Sequence, residues 1–235
     1  MNTSSPVDFS QFTKSEKILA QLQAQFGTMQ PGRLQALRKQ FYSYVLYPAA
    51  GSVQLNFFGQ AVGNNGITLE ETNMPVQGSF GTSSFLVKGV MCNLKVLTEN
   101  LAAWAGTDAT SLTSEVLGGF LQAGVLTMDI NAKTYLQIDL PFLKAPPADG
   151  RTHFFTGGQT TALIDKEASA SQPSRSEQRY IVDPEFLVAA QQNFSVQIGF
   201  PSGAIPIRAS SIYNADTNPF YVGVILDGIE FRPVQ

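Results

Sequence analysis

Any chemistry in this chain would have to run through very few side chains. There is one histidine, His153, and one cysteine, Cys92. A single imidazole cannot build a multi-histidine metal centre, and a single thiol makes neither an intrachain disulfide nor a cysteine-based zinc site. His153 falls in Arg151-Thr152-His153-Phe154-Phe155, at an expected strand start, and reads as a surface or hydrogen-bonded residue rather than a base. Gly81-Thr82-Ser83-Ser84 and Pro201-Ser202-Gly203 set serines near glycines, but neither fits the G-x-S-x-G nucleophile turn. Asp129 and Asp139 are the residue type that glycosidases pair, yet both occupy the outward phase of alternating runs, where carboxylates meet solvent. Glu70-Glu71 and Asp227/Glu230 could lend oxygens to calcium, without the D-x-D-x-D-G spacing of a calcium loop. Gly118-Gly119 and Gly157-Gly158 lack a phosphate-loop context, and Cys92 sits at an inward phase that suits inert packing. The expectation is a protein with no catalytic residue, no metal ligand set and no cofactor.

The elements that would position such residues belong to a folded body. The chain has 235 residues, of which 43% are hydrophobic and only 14% charged, well below the ~25% charge of average domains. That excludes a disordered tail or a coiled coil and leaves room for one large all-β domain or two small ones. Twenty glycines and thirteen prolines supply many strand-to-strand corners. The first twenty residues contain no apolar core of a secretory signal, and the most apolar stretch, Val116 to Met128, is shorter than the ~20 residues a membrane helix needs. The lone Trp104, in an Ala-rich stretch, reads as packing. Charge is uneven. Residues 1–47 hold five bases against two acids, net +3, and the remainder ten bases against sixteen acids, net −6.

The N-terminal segment 1–47 reads as an amphipathic helical arm. Thr13-Lys14-Ser15-Glu16 has capping-box spacing, Ile18, Leu19, Leu22 and Phe26 form one stripe, and Gly27 offers a stop. Pro31 suits the first turn of a second helix carrying Leu34, Leu37, Phe41 and Tyr44. After residue 47 the period changes to two. Val53–Phe57, Ile67–Thr72, Phe85–Leu97, Leu126–Ile130, Leu136–Leu140, Phe194–Phe200 and Phe220–Leu226 read as strands. In the third of these, Leu86, Val90 and Cys92 are expected on one face. Across Asp227-Gly228 the parity shifts to Ile229 and Phe231, as a one-residue bulge would produce. Helical spacing near 101–123 predicts an insert, and the Ser-rich stretch near 166–178 a mobile exposed loop. The fold class expected is mainly β: residues 48–235 as a jelly-roll β-sandwich, one elaborated roll rather than two in tandem.

Several motifs occur in a telling order. Phe41-Tyr42-Ser43-Tyr44-Val45-Leu46-Tyr47-Pro48-Ala49-Ala50-Gly51 leads into Leu55-Asn56-Phe57-Phe58-Gly59. Thr72-Asn73-Met74-Pro75 and Phe85-Leu86-Val87-Lys88-Gly89-Val90 follow, and Asn193-Phe194-Ser195-Val196-Gln197-Ile198 precedes a C-terminal strand pair. Over residues 40–235 this order resembles the jelly-roll major capsid proteins of tailless icosahedral bacteriophages, many of which enclose a membrane. The resemblance implies a structural virion protein made in the host cytoplasm. It would form homotrimeric or pseudo-hexameric capsomers, possess no active site, and meet other capsid or vertex proteins in the shell. A carbohydrate-binding jelly roll, such as a phage receptor-binding or lectin-like module, is the alternative.

On that reading the arm has a specific role. Ile18, Leu22, Phe26, Leu34, Leu37 and Phe41 form an apolar stripe too long to leave in water, beside the bases Arg38 and Lys39. The stripe can pack under its own sandwich, under a neighbouring copy, or onto lipid. The basic face favours the shell interior, where genome phosphates and anionic headgroups attract cations. A separable arm would allow residues 1–40 to be removed without unfolding the sandwich.

Overall fold

The structure, a computed structural model, describes residues 7–29, 33–48, 50–95, 123–143, 179–204 and 221–234. The loop near 166–178, His153, Trp104 and all but the last residue of the insert near 101–123 lie outside the described residues. One helix, α1 (Glu16–Phe26), precedes strands β1 (Leu34–Leu46), β2 (Gln54–Phe57) and β3 (Ser84–Lys95). Strands β4 (Val125–Ile130) and β5 (Lys133–Asp139) lead into a single helical turn, α2 (Leu140–Leu143). Strands β6 (Tyr180–Val188), β7 (Phe194–Gly199) and β8 (Tyr221–Pro233) complete the chain. They form two four-stranded antiparallel sheets, ordered β1-β8-β3-β6 and β2-β7-β4-β5. The protein is mainly β, a sandwich of two sheets around a shared core.

The core follows from alternation. In β7 Phe194, Val196 and Ile198 turn inward with Phe200 just beyond, and in β4 Leu126, Met128 and Ile130 do the same. Val222, Val224 and Leu226 of β8, Phe41 of β1 and Phe85 and Val87 of β3 meet them from the opposite sheet. Aromatic rings bridge the layers: Phe80 stacks on Phe194 at 4.6 Å between centroids, and Phe41 meets Phe85 edge-on at 5.0 Å. Each such side chain contributes about 1.5–3 kcal/mol by leaving water.

The second helix expected in the arm is a strand. Residues 34–46 pair without interruption with β8, from Leu34 opposite Pro233 to Leu46 opposite Tyr221. The spacing of three and four came from a strand buried on both faces. Leu34 and Ala36 pack outward under α1, while Phe41 and Val45 pack inward. The aromatic and β-branched run Phe41–Val45 favours a strand as well. The boundary expected at residue 47 therefore cuts a sheet strand off from the sandwich it belongs to.

Four smaller expectations change. The register of β8 is unbroken at Asp227-Gly228. The extra residue lies instead on β3, where Val87 opposes Gly228 and Gly89 opposes Asp227. The parity change in β8 marks a change of buried face, from the main core to the surface under α1. The same bulge puts Leu86 under α1 and Val90 in the main core, so the two do not share a face. Ile67–Thr72 is turn rather than strand, with one bridge from Thr72 to Ser43. Thr72 and the following Asn73 cap the free edge of β1: Thr72 Oγ1 donates to Tyr42 O, and Asn73 accepts from Tyr42 N–H and donates to Gln40 O. At α1 the N-cap is Ser15 without a side-chain cap bond, and Thr13 Oγ1 accepts from the Ser15 N–H instead.

Candidate functional site

The residues singled out in the arm converge on the outer face of the β1-β8-β3-β6 sheet, in two zones. In the first, Ile18, Leu22 and Phe26 of α1 are buried against Leu86 of β3, Leu187 of β6 and Phe231 of β8. Phe231 is the hub, with ring contacts to Phe9, Phe12 and Phe26 at 5.3–6.3 Å. Ser84 Oγ donates to Gln25 Oε1 and accepts from Ala190 N–H, keying the helix to the sheet. Of the three destinations open to the stripe, its own sandwich, a neighbouring copy or lipid, Ile18, Leu22 and Phe26 take the first. Of the other arm candidates, Leu34 borders this cluster, Phe41 belongs to the main core and Leu37 is half-buried in neither.

The second zone is ionic. Asp227, 1% exposed, receives Arg38 Nη2 and Gln40 Nε2 at 3.3 Å and Arg179 Nη1. Arg179 precedes β6 and reaches Asp227 over Gly89 of β3, where a Cβ would sit 3.1 Å from Arg179 Cδ. Lys39, from the opposite face of β1, pairs with Glu230 at 2.9 Å and lies 4.4 Å from the Phe41 ring centroid. Lys88, the bulge residue, pairs with Glu185 at 2.9 Å. Arg38 and Lys39 are therefore engaged with carboxylates of their own chain, rather than held ready for phosphates as a pair of free bases.

The carboxylates that suggested chemistry are dispersed. Asp227 and Glu230 are three residues apart on one strand, so they project to opposite faces and cannot share a cation. Asp129 accepts from the Thr134 hydroxyl at 2.6 Å, and Asp139 is exposed opposite Val125, four rows away. Four rows is about 13 Å, too far for a glycosidase pair. Glu71 holds its own turn, accepting from Thr68 N–H at 2.8 Å. Among the described residues no three His, Cys, Asp or Glu side chains group as a metal site. Cys92 is half-buried beside the main core.

Sequence reading missed the Asp227 node, whose arginines lie 48 and 189 residues away. Its one local signal is an aspartate inside the apolar run Tyr221–Phe231. Such a charge is retained in a buried strand only with partners. What the arrangement does is join β1, β8 and the start of β6 across the sheet.

No protein-family model, no curated protein and no solved structure matches the chain.

Proposed function

We propose that this chain is a structural capsid protein, a single jelly roll that self-associates into capsomers of an icosahedral virion shell. The observation that carries the reading is the winding of the strands. Pairing runs β1 with β8, β2 with β7, β3 with β6 and β4 with β5. These are the pairs of one long hairpin, and β3 also meets β8 while β4 meets β7, a pairing that supports the jelly-roll reading. A fold alone does not give a function. The motifs that resemble phage capsid proteins add to it, since they fall on β1, β2, β3, β7 and the cap of the β1 edge. Exposed Leu46, Val53, Leu69 and Ile181 provide apolar surface for lateral contacts between copies.

Homotrimers are the capsomer the resemblance implies. The face carrying α1 is the one we assign to the interior, because Lys14, Lys17 and Arg33 are exposed on or beside it. There they would meet genome phosphates or anionic headgroups, with apolar burial holding the helix to its own sheet. Sedimentation velocity and negative-stain microscopy of the purified chain test the proposal. The expected result is concentration-dependent trimers and larger lattices. A monomer at every concentration, salt and pH overturns it, and a small soluble oligomer that retains sugar on a glycan array replaces it with the carbohydrate-binding alternative.

A further inference from the structure

The outer face of the β2-β7-β4-β5 sheet carries a row of uncharged hydrogen-bonding side chains that crosses all four strands. Asn56 of β2 is the register partner of Gln197 of β7, Gln197 of Thr127 in β4, and Thr127 of Gln137 in β5. All four alternate with core residues, so they point away from the sandwich. Gln54 orders one end of the row: its Nε2 donates to Asn56 Oδ1 at 2.7 Å and to Gln197 Oε1 at 2.6 Å. The amide N–H groups of Asn56 and Gln197 are thereby left to donate outward. Asparagine is disfavoured in strands, and no core contact calls for it at residue 56. Beside the row lies Gly199, register partner of Gln54 and Val125. A Cβ there would meet no atom within 4 Å, and the residue has no positive φ. Neither packing nor backbone conformation requires a glycine, and its effect is an open shelf where a ligand can approach the sheet. No Lys or Arg occupies this row or the outward rows on either side. The charges there are Asp129, which holds Thr134, and Asp139.

We propose that this row is a binding site for an extended neutral oligosaccharide laid across the strands. With no base present, nothing pairs with phosphate, sulfate or uronate, and the two aspartates repel them. The row also lacks the large apolar anchor that protein partners bury. Amides and a hydroxyl offer donors and acceptors side by side, which matches sugar hydroxyls, themselves both donor and acceptor. Neighbouring strands lie about 4.8 Å apart, so the row spans about 14 Å. A pyranose unit advances an extended glycan by a similar step, and about three units fit along the row. The bonds from Gln54 hold two of the amides in place beforehand, which reduces the ordering cost of binding. The site goes beyond the shell reading and does not depend on it. Because α1 lies on the other sheet, a shell with α1 inward turns this row outward.

The test displays neutral gluco-, manno- and galacto-oligosaccharides, from disaccharide to hexasaccharide, beside sialylated and sulfated glycans, and probes them with the full chain. Dense display offsets the weak affinity of a single polar site. The expected result is retention on neutral chains from the trisaccharide upward. Gln197→Ala should weaken it about tenfold, as the loss of one hydrogen-bonding group does. Gly199→Val should do the same by filling the shelf, with a residue that strands favour. Both variants should keep the urea midpoint of the unmodified chain, and Asn56→Ala replaces either one that does not. No retention on any neutral chain, a preference for the acidic glycans, or retention unchanged in either variant overturns the site. Sedimentation of the same preparations reports on the shell reading separately: assembly without glycan retention removes the site and leaves that reading standing.

Discussion

Tyr44 of β1 and Gly223 of β8 are register partners, and the tyrosine ring occupies the space a side chain on residue 223 would need. A Cβ on Gly223 would overlap Cδ1 and Cε1 of that ring. The glycine is thus a packing requirement of the outer sheet face. Gly223→Ala is expected to cost about 1–3 kcal/mol, as overpacking does. In a Tyr44→Ala background the same change should cost less than ~1 kcal/mol. Urea unfolding of the four variants measures this coupling, and a cost independent of residue 44 would locate the constraint in the backbone.

The two arginines on Asp227 are not equivalent. Arg38 is 68% exposed and Arg179 only 24%. Arg38→Met should change stability by less than ~1 kcal/mol, the usual worth of an exposed ion pair. Arg179→Met should cost about 1–3 kcal/mol, since it strips a donor from a buried carboxylate. Paired denaturation curves check the order, and a larger loss from Arg38→Met would make β1 the main anchor of the node.

Tyr47 links stability to alkaline pH. Its phenol is buried in the main core, and burial pushes its pKa above the usual 10.0, partly opposed by a hydrogen bond from the Ser52 backbone. The unfolded chain therefore loses this proton first. The stabilisation is fully present below pH 10, declines as pH rises through the gap between the two values, and is gone above the folded one. Tyr47→Phe should flatten the fall in stability above pH 10 relative to wild type. Thermal melts between pH 8 and 11.5 check it, and parallel curves for the two proteins would remove Tyr47 from the alkaline transition.

Phe194 should carry the cost of a large core cavity. It stacks on Phe80 and contacts Phe58 at 5.6 Å, between the two sheets. Phe194→Ala is expected to cost about 3–5 kcal/mol. Ile181→Ala, at a residue 66% exposed on the edge strand β6, should stay within about 0.5 kcal/mol. A loss below ~1 kcal/mol at Phe194 would undo the inward register of β7.

That register was legible in the sequence because β7 and β4 bury one face each, so period two reads directly. β1 was not legible. Its two ends bury opposite faces, and the resulting spacing of Leu34, Leu37, Phe41 and Tyr44 imitates a helix. The parity change at Asp227-Gly228 was visible, but a sequence cannot say whether a strand bulges or acquires a second buried face. Only the partner strand decides, and here the extra residue is Lys88 on β3. Arm residues were recognisable as apolar. Their destination was not, because the groove is assembled from β3, β6 and β8, far away in the chain.

Two N-terminal truncations, one removing residues 1–29 and one removing residues 1–40, separate α1 from the sheet. Residues 34–40 are the first half of β1 and pair with Gln235's near neighbours, from Pro233 back to Asp227. A chain lacking 1–40 loses Arg38, Lys39 and Gln40 together, leaving Glu230 without its lysine and Asp227 with Arg179 as its remaining cation. Sheet edge, ion pairs and helix all go at once, so this deletion is expected to abolish cooperative folding. A chain lacking 1–29 keeps every strand and loses only the cover over Leu86, Leu187, Ile229 and Phe231. It should retain its β-type circular dichroism and a cooperative melt, lowered in midpoint, while binding ANS through the bared groove. If the 1–40 deletion instead melts like the full chain, the first half of β1 is dispensable and the sandwich begins near residue 41. If the 1–29 deletion cannot fold, the cluster around Phe231 is part of the folding core rather than a cover laid upon it.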